Sequence, residues 1–284
     1  MSSTMTEAAT TVASEKEAAL VAWLRARGRV AIGFSGGVDS AYLACVAVDT
    51  LGSANVLAII GRSASYPAAQ WAAARAVADR FEVPVLEIDT HEMDDPRYAA
   101  NPSNRCYFCK SELWSLLVPV ARERGIEVVV DGTNADDVTG HRPGAAAAGE
   151  HEVASPLLLA GLTKAEIREL SQRRGIPTWA QPSSPCLSSR IPYGIAVTAT
   201  RLATIERAEA ALRELGISGD LRVRYHDDLA RVELGGDELA RWLEPDASQR
   251  LAAAVRGAGF ERVAIDLRGF RSGSLNVLTG VSAA

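Results

Sequence analysis

The sequence predicts an α/β protein: a parallel, doubly wound sheet followed by a second, smaller α+β domain. Three observations predict it. Apolar strand-forming runs alternate with helix-length stretches as far as about Arg174, the pattern of parallel strands joined by crossover helices. The runs Leu57-Ala58-Ile59-Ile60 and Val128-Val129-Val130 are unbroken rather than alternating, as in strands covered on both faces. Beyond Thr198 the order becomes helix, strand, strand, helix, strand, with a tight turn between the first two strands.

The elements follow in order. Ser14 and Glu17 have the form of a capping box, and Ala18, Leu20, Val21 and Leu24 recur at helical spacing until Gly28 stops the helix. Residues 1–14, a Thr/Ala/Ser mixture, are expected to be a disordered terminus, and residues 15–195 the first domain. Val30 to Phe34 is a short strand that feeds at once into Ser35-Gly36-Gly37-Val38-Asp39-Ser40 and a helix through Leu51. Strands at Val56 to Ile60, Pro84 to Ile88 and Glu127 to Val130 alternate with helices from Pro67 to about Phe81 and from about Phe108 to Arg124. Thr163 with Glu166 caps a further helix to about Arg174. Gln181 to Arg190 is a polar, proline-rich loop of a length that is usually functional or a linker. Residues 196–284 make the second domain, with a helix from Ala199 to Leu215 and strands Leu221 to Tyr225 and Leu229 to Leu234 about the His226-Asp227-Asp228 turn. A helix from Asp237 to Ala258 and a strand from Arg262 to Leu267 complete it, and no clear element follows Leu275.

Composition narrows the function classes. A chain of 284 residues buries a core without disulfides, and 48% hydrophobic with 23% charged residues excludes a disordered chain or a coiled coil. No apolar run approaches the ~18 to 20 residues of a membrane span, and the N-terminus lacks the basic and apolar parts of a signal peptide, so a cytoplasmic location is expected. A net charge of −5 argues against a protein that coats nucleic acid. Of 30 cations only Lys16, Lys110 and Lys164 are lysine, which singles each of them out. Four cysteines in a cytoplasmic chain point to catalysis, a metal or burial rather than disulfides.

Ser35 to Ser40 lies where a parallel strand ends and a helix begins, the place where α/β sheets bind phosphates. Gly36 and Gly37 let the backbone approach an anion, Ser35 and Ser40 add hydroxyls, and the helix end supplies N–H groups with no intrahelical acceptor. Asp39 is then available for a magnesium ion bridging the phosphates. Neither a Walker Gly-x4-Gly-Lys nor a dinucleotide Gly-x-Gly-x-x-Gly occurs, and the plain alternative is a serine-capped turn. The motif resembles the PP-loop of ATP pyrophosphatases, which split ATP to AMP and pyrophosphate while adenylating a substrate. That resemblance implies an adenine nucleotide alpha hydrolase-like sheet, ATP and Mg2+. It also implies that Gly132, Thr133 and Asn134 of Asp131-Gly132-Thr133-Asn134-Ala135-Asp136-Asp137 lie beside the nucleotide, with Asp136 near the metal. Alone, that segment reads as a capping turn.

The cysteines divide by setting. Cys45 sits in an apolar helix among Leu43, Ala44 and Val46 and reads as core. Cys106 and Cys109 form a Cys-x-x-Cys at a helix start, a spacing that suits a redox dithiol, zinc or one edge of an iron–sulfur cluster. Cys186 follows Pro185 in the polar loop, with Arg190 four residues on. Structural zinc takes four protein ligands, whereas a cubane held by three cysteines leaves one iron open for sulfide.

A closer resemblance is carried by Asn101-Pro102-Ser103-Asn104-Arg105-Cys106-Tyr107-Phe108-Cys109-Lys110, His141-Arg142-Pro143-Gly144 and Pro182-Ser183-Ser184-Pro185-Cys186-Leu187-Ser188-Ser189-Arg190-Ile191. It continues through Arg222-Val223-Arg224-Tyr225-His226 and Asp266-Leu267-Arg268-Gly269-Phe270-Arg271-Ser272-Gly273. These are similar to the LarE family, ATP-dependent sulfur transferases that make the thiocarboxylates of the nickel-pincer nucleotide cofactor. The resemblance implies adenylation of pyridinium-3,5-biscarboxylic acid mononucleotide and Cys186 as the sulfur donor. In family members with three such cysteines a [4Fe-4S] cluster on Cys106, Cys109 and Cys186 carries sulfide from a separate sulfide source. The alternatives are a single-turnover enzyme that sacrifices Cys186 and a PP-loop tRNA thiolation enzyme, the latter disfavoured by the charge. A homo-oligomer is expected. Lys110, Ser189, Arg190, Arg222 and Arg224 are the expected substrate-anion contacts. Glu206 and Glu209 share a helix face as candidate acid, base or metal ligands. A solvated strand face is the plain alternative for Arg222 and Arg224, whose alternation puts both on one side.

Overall fold

The structure is a computed structural model that describes residues 2–138, 143–182 and 185–271. Its contacts divide the chain into two compact units. One is built from Met1–Ser63, Ala68–His91 and Cys106–Ser184, the other from Ala64–Pro67, Glu92–Arg105 and the chain from Pro185 onward. A single division near residue 195 is therefore too simple, because two short excursions from the first half join the second unit.

In the first unit, β1 (Val30–Gly33), β2 (Val56–Arg62), β3 (Val85–Asp89) and β4 (Val129–Val130) form a parallel sheet in the order β3-β2-β1-β4. Its helices are α1 (Ser2–Arg27), α2 (Val38–Leu51), α3 (Ala68–Arg80), α5 (Arg105–Glu123), α6 (Pro143–Glu150), α7 (Pro156–Leu159) and α8 (Lys164–Arg173), while α4 (Pro96–Ala99) belongs to the second unit. α5 buries Trp114, Leu117, Val118 and Ala121 against Ala31, Ile59 and Val129 of the sheet and Ala147 and Ala148 of α6. At about 1.5–3 kcal/mol for each large apolar side chain, this face is a main source of the unit's stability. Gly33 is needed here, since a Cβ on it would lie 2.5 Å from the Trp114 ring. α2 packs on α1, α3 and α8, with Tyr42, Leu43, Cys45 and Val46 buried.

Two expectations in this unit are corrected. α1 begins at Ser2, so the terminus expected to be disordered over residues 1–14 is helical from Ser2. No glycine or proline interrupts the chain before Gly28, so nothing local ends the helix earlier. Ser14 and Glu17 consequently lie inside a helix and form no capping box. Glu17 instead accepts from the Tyr42 hydroxyl at 2.8 Å and from Arg174 at 2.9 and 3.0 Å, tying α1 to α2 and to the end of α8. The Thr163–Glu166 capping box of α8 forms as expected.

In the second unit, α9 (Ala199–Glu214) and α11 (Pro245–Gly257) pack together, and α9 also covers β5 (Leu221–His226). β5 pairs antiparallel with β6 (Leu229–Leu234) across the turn at Asp227 and Asp228, and β6 pairs parallel with β7 (Arg262–Ile265). The single helix expected from Asp237 to Ala258 is two, α10 (Gly236–Trp242) and α11, because Pro245 cannot donate into a continuing helix and instead opens a new one.

Candidate functional site

The strand order reverses at β1, whose neighbours are β2 on one side and β4 on the other, and ligands of open α/β sheets bind at such a switch point. The loop after β1 is drawn in on itself. The Ser35 backbone N–H donates to Ser40 Oγ at 3.3 Å, the two hydroxyl oxygens are 3.2 Å apart, and Ser40 Oγ donates to the Gly37 carbonyl at 3.3 Å. Gln70 of α3 donates to the Ser35 carbonyl at 3.0 Å. Gly36 has φ +68°, and a Cβ there would sit 2.3 Å from Ala74 Cβ, so both backbone and packing demand glycine. Ser35 stays exposed while Ser40 is buried.

The loop after β4 meets the same helix end. A Cβ on Gly132 would lie 3.0 Å from the Ser40 backbone nitrogen and 3.3 Å from Asp39 Cβ, so β4 leads directly onto the first turn of α2. Asp131 is occupied by the Thr133 N–H and hydroxyl and by Ser155. Asn134, buried, accepts from the Asp136 N–H at 2.9 Å, the capping-turn geometry that the segment alone suggested. Lys164 joins the two loops: its backbone N–H donates to Asp136 at 2.8 Å, and its ammonium is 2.5 Å from Asp39 Oδ2. Asp39 Oδ1 is buried and accepts no hydrogen bond. A carboxylate oxygen left without a donor next to the phosphate loop is a fit for Mg2+, which takes one or two carboxylates and completes its shell with phosphate and water. Lys164 was missed as a site residue, although the scarcity of lysine had marked it.

Cys186, half-buried, lies in the second unit on a loop held from several sides. Its carbonyl accepts from Ser189 N–H at 3.0 Å and Arg190 Nη1 at 3.1 Å, and the Leu187 N–H donates to the Ser65 carbonyl at 2.8 Å. Arg190 is 2% exposed. Nη1 also donates to the Pro185 carbonyl at 2.5 Å and to Ser189 Oγ at 3.2 Å, while Nε and Nη2 grip the Glu209 carboxylate at 2.9 and 3.0 Å. Arg190 is thus built into the loop that carries Cys186.

Arg222 and Arg224 are each 5% exposed, which removes the solvated-face alternative. Arg224 pairs with Glu233 at 2.9 Å and donates to the Ser189 carbonyl at 3.0 Å. Arg222 lies over the Phe270 ring at 5.0 Å and donates to the Leu221 carbonyl. Burial and then the nearby Arg190 charge press the Arg222 guanidinium down to about 10. Glu209 also accepts from the Val223 N–H at 3.0 Å, so the strand, the Cys186 loop and α9 meet on one carboxylate.

Cys106, exposed, and Cys109, half-buried, lie at the start of α5 in the first unit. Lys110 places its ammonium 5.2 Å from the Trp114 ring centroid, and a Cβ on Gly144 would lie 3.1 Å from Lys110 Cγ. None of the four cysteines is in a disulfide, and Cys45 is buried as expected. Among the described residues no group of three His, Cys, Asp or Glu side chains is gathered to hold a metal ion. Of the motif residues, His141, Arg142, Ser183, Ser184, Ser272 and Gly273, with the tail after Leu275, lie outside the described residues. No helix of the described residues is long and apolar enough to cross a membrane.

Known proteins match along the chain. The family described as NAD synthase matches residues 19–104, which includes the phosphate loop. An uncharacterised protein of Synechocystis sp. is 43% identical over 252 residues, 88% of this chain and 93% of that one. The pyridinium-3,5-bisthiocarboxylic acid mononucleotide synthase of Lactiplantibacillus plantarum is 34% identical over 261 residues, 92% of this chain and 94% of that one. An uncharacterised protein of Methanocaldococcus jannaschii is 27% identical over 248 residues.

Proposed function

The chain belongs to the LarE family of PP-loop ATP-dependent sulfur transferases, and from that premise we propose that it converts a carboxylate of pyridinium-3,5-biscarboxylic acid mononucleotide to a thiocarboxylate. The observation that carries the reading is one chain holding both a phosphate loop at the β1/β4 switch point and a half-buried Cys186 on a clamped loop.

In the first step a substrate carboxylate oxygen attacks the α-phosphorus of ATP. The bond to the bridging oxygen breaks and pyrophosphate leaves, giving the acyl-adenylate. Gly36, Gly37, Ser35 and Ser40 hold the leaving phosphates with backbone N–H and hydroxyl donors, the preorganised arrangement that stabilises charge as it develops. Asp39, with Asp136, would hold a Mg2+ ion that supplies positive charge to those phosphates. Gly132, Thr133 and Asn134 lie beside the nucleotide, and Lys110, Ser189, Arg190, Arg222 and Arg224 serve the substrate anions, Arg190 chiefly by holding the loop.

In the second step the acyl carbon is attacked by sulfur and AMP leaves. With Cys186 Sγ as the nucleophile, loss of the Cα proton and cleavage of Cβ–S release the thiocarboxylate and leave dehydroalanine. Thiolates are the ligands that iron–sulfur clusters take, and on the family resemblance Cys106, Cys109 and Cys186 would hold a [4Fe-4S] cluster. When bound, the cluster would supply sulfide in place of the cysteine sulfur and spare the chain. The test is pyrophosphate release that depends on the pyridinium dicarboxylate, with mass detection of the thiocarboxylate. Pyrophosphate release without that substrate, or with no sulfur-containing product, rejects the reading.

A further inference from the structure

We infer that Asn101 is a positioning residue for Cys186: with Tyr98 and Arg105 it clamps the chain over residues 188–195 and so sets how the thiol is presented. The inference rests on the reading of Cys186 as the sulfur-carrying residue.

Asn101 is wholly buried. Its amide nitrogen donates to the carbonyls of Pro192 at 2.8 Å, Ile195 at 2.9 Å and Ile191 at 3.3 Å, two protons shared among three acceptors. Its Oδ1 accepts from Arg105 Nη1, which also donates to the Ser188 carbonyl at 3.0 Å. The Tyr98 hydroxyl is 2.7 Å from Ser188 Oγ. Main-chain bonds complete the clamp, from Gly194 N–H to the Asn101 carbonyl at 2.9 Å and from Val197 N–H to the Ala99 carbonyl at 2.8 Å. The Ser188 and Ile191 carbonyls, whose bonds are buried, would be left with a desolvation cost if stripped of these donors, so the loop has one favoured path.

Residue type is dictated twice over. Asn101 has φ +56°, in the left-handed region that most side chains avoid and Asn tolerates. The position also needs two amide protons. Glycine meets only the first demand and glutamine only the second. Every contact of the clamp lies in the second unit, whereas the phosphate loop belongs to the first, so the two half-reactions should separate on mutation.

The test uses the full-length protein with ATP and the pyridinium dicarboxylate. It reads thiocarboxylate formed per pyrophosphate released in the first turnover, and the rate of Cys186 alkylation by iodoacetamide. Asn101→Gly, which keeps the left-handed backbone, is expected to lower the ratio about tenfold while pyrophosphate release stays within about twofold of wild type. Cys186 alkylation changes several-fold in the same variant. Tyr98→Phe deletes one hydroxyl and moves both readouts the same way by less. A role confined to stability would lower the melting temperature and both half-reactions together. That result, or wild-type ratio and alkylation in both variants, overturns the inference. Cys186→Ser tests the premise separately: thiocarboxylate formed by that variant removes the sulfur-carrying reading, while the alkylation data still judge the clamp.

Discussion

Lys164 and Asp39, 125 residues apart in the chain, meet in a salt bridge beside the phosphate loop, and the second oxygen of the Asp39 carboxylate is buried with no donor. The ammonium and a magnesium ion would address the same carboxylate. Asp39→Asn keeps the shape but removes the charge, and substrate-dependent pyrophosphate release is expected to fall at least about a hundredfold with the circular dichroism unchanged. Lys164→Ala is expected to raise the ATP requirement about tenfold and leave the pyridinium dicarboxylate requirement unaltered. Wild-type release by a folded Asp39→Asn protein would remove both assignments.

Glycine is a packing requirement at two positions and, at Gly36, a conformational one as well. Gly36→Ala puts a methyl 2.3 Å from Ala74 Cβ at a positive φ, and Gly132→Ala puts one 3.0 Å from the Ser40 nitrogen. Gly36→Ala should lose ATP-dependent turnover and cost about 2 kcal/mol or more of stability, with a smaller cost at Gly132, where φ is not strained. Denaturant unfolding and ATP titration check the order of the two effects.

Arg222 carries its charge at neutral pH against burial and a neighbouring guanidinium, which press its proton affinity down to about 10. A base depressed in the fold costs stability at every pH below that value, and the cost fades as pH rises from about 10 towards the ordinary arginine range. Arg222→Met should therefore leave the melting temperature at pH 7 unlowered, or raise stability by about 1 kcal/mol, while abolishing the stabilisation that the pyridinium dicarboxylate confers. An equal thermal shift by that ligand in wild type and variant would remove Arg222 from the substrate site.

The sulfur source is decided by counting. Intact mass after anaerobic, sulfide-supplied turnover should show several products per chain with Cys186 unchanged, and Cys106→Ser, Cys109→Ser or Cys186→Ser should each lower the iron content. One product at most, with loss of the elements of hydrogen sulfide from Cys186, selects the sacrificial route instead. Cys45→Ser should spare iron and turnover and cost about 1–2 kcal/mol, because the side chain is buried. Burial, then the Asp49 carboxylate, push the Cys45 thiol up to about 12, so it should also resist alkylation at pH 8.

Features governed by a few neighbouring residues were legible in the sequence. The glycine turn after Val30 to Phe34, the Thr163–Glu166 cap and the turn at Asp227 and Asp228 each depend on backbone preferences and on contacts within the same turn, so local spacing determines them. The unbroken apolar strands likewise announced a parallel sheet, because burial on both faces acts residue by residue. Other features were decided only by tertiary structure, since a polar side chain takes whichever partner the fold brings to it. Glu17 has the spacing of a cap and binds Tyr42 and Arg174; Lys164 has the spacing of a first-turn lysine and binds Asp39. Arg190 looked like an open anion contact and is committed to Glu209 and the carbonyls around Cys186. Asn101 and Cys106 stand five positions apart in one motif, yet Asn101 packs in the unit that carries Cys186 and Cys106 in the unit that carries the phosphate loop. Sequence alone determined which chemical groups the chain owns and where its turns fall, and long-range burial decided which of those groups are already satisfied and which remain for a ligand.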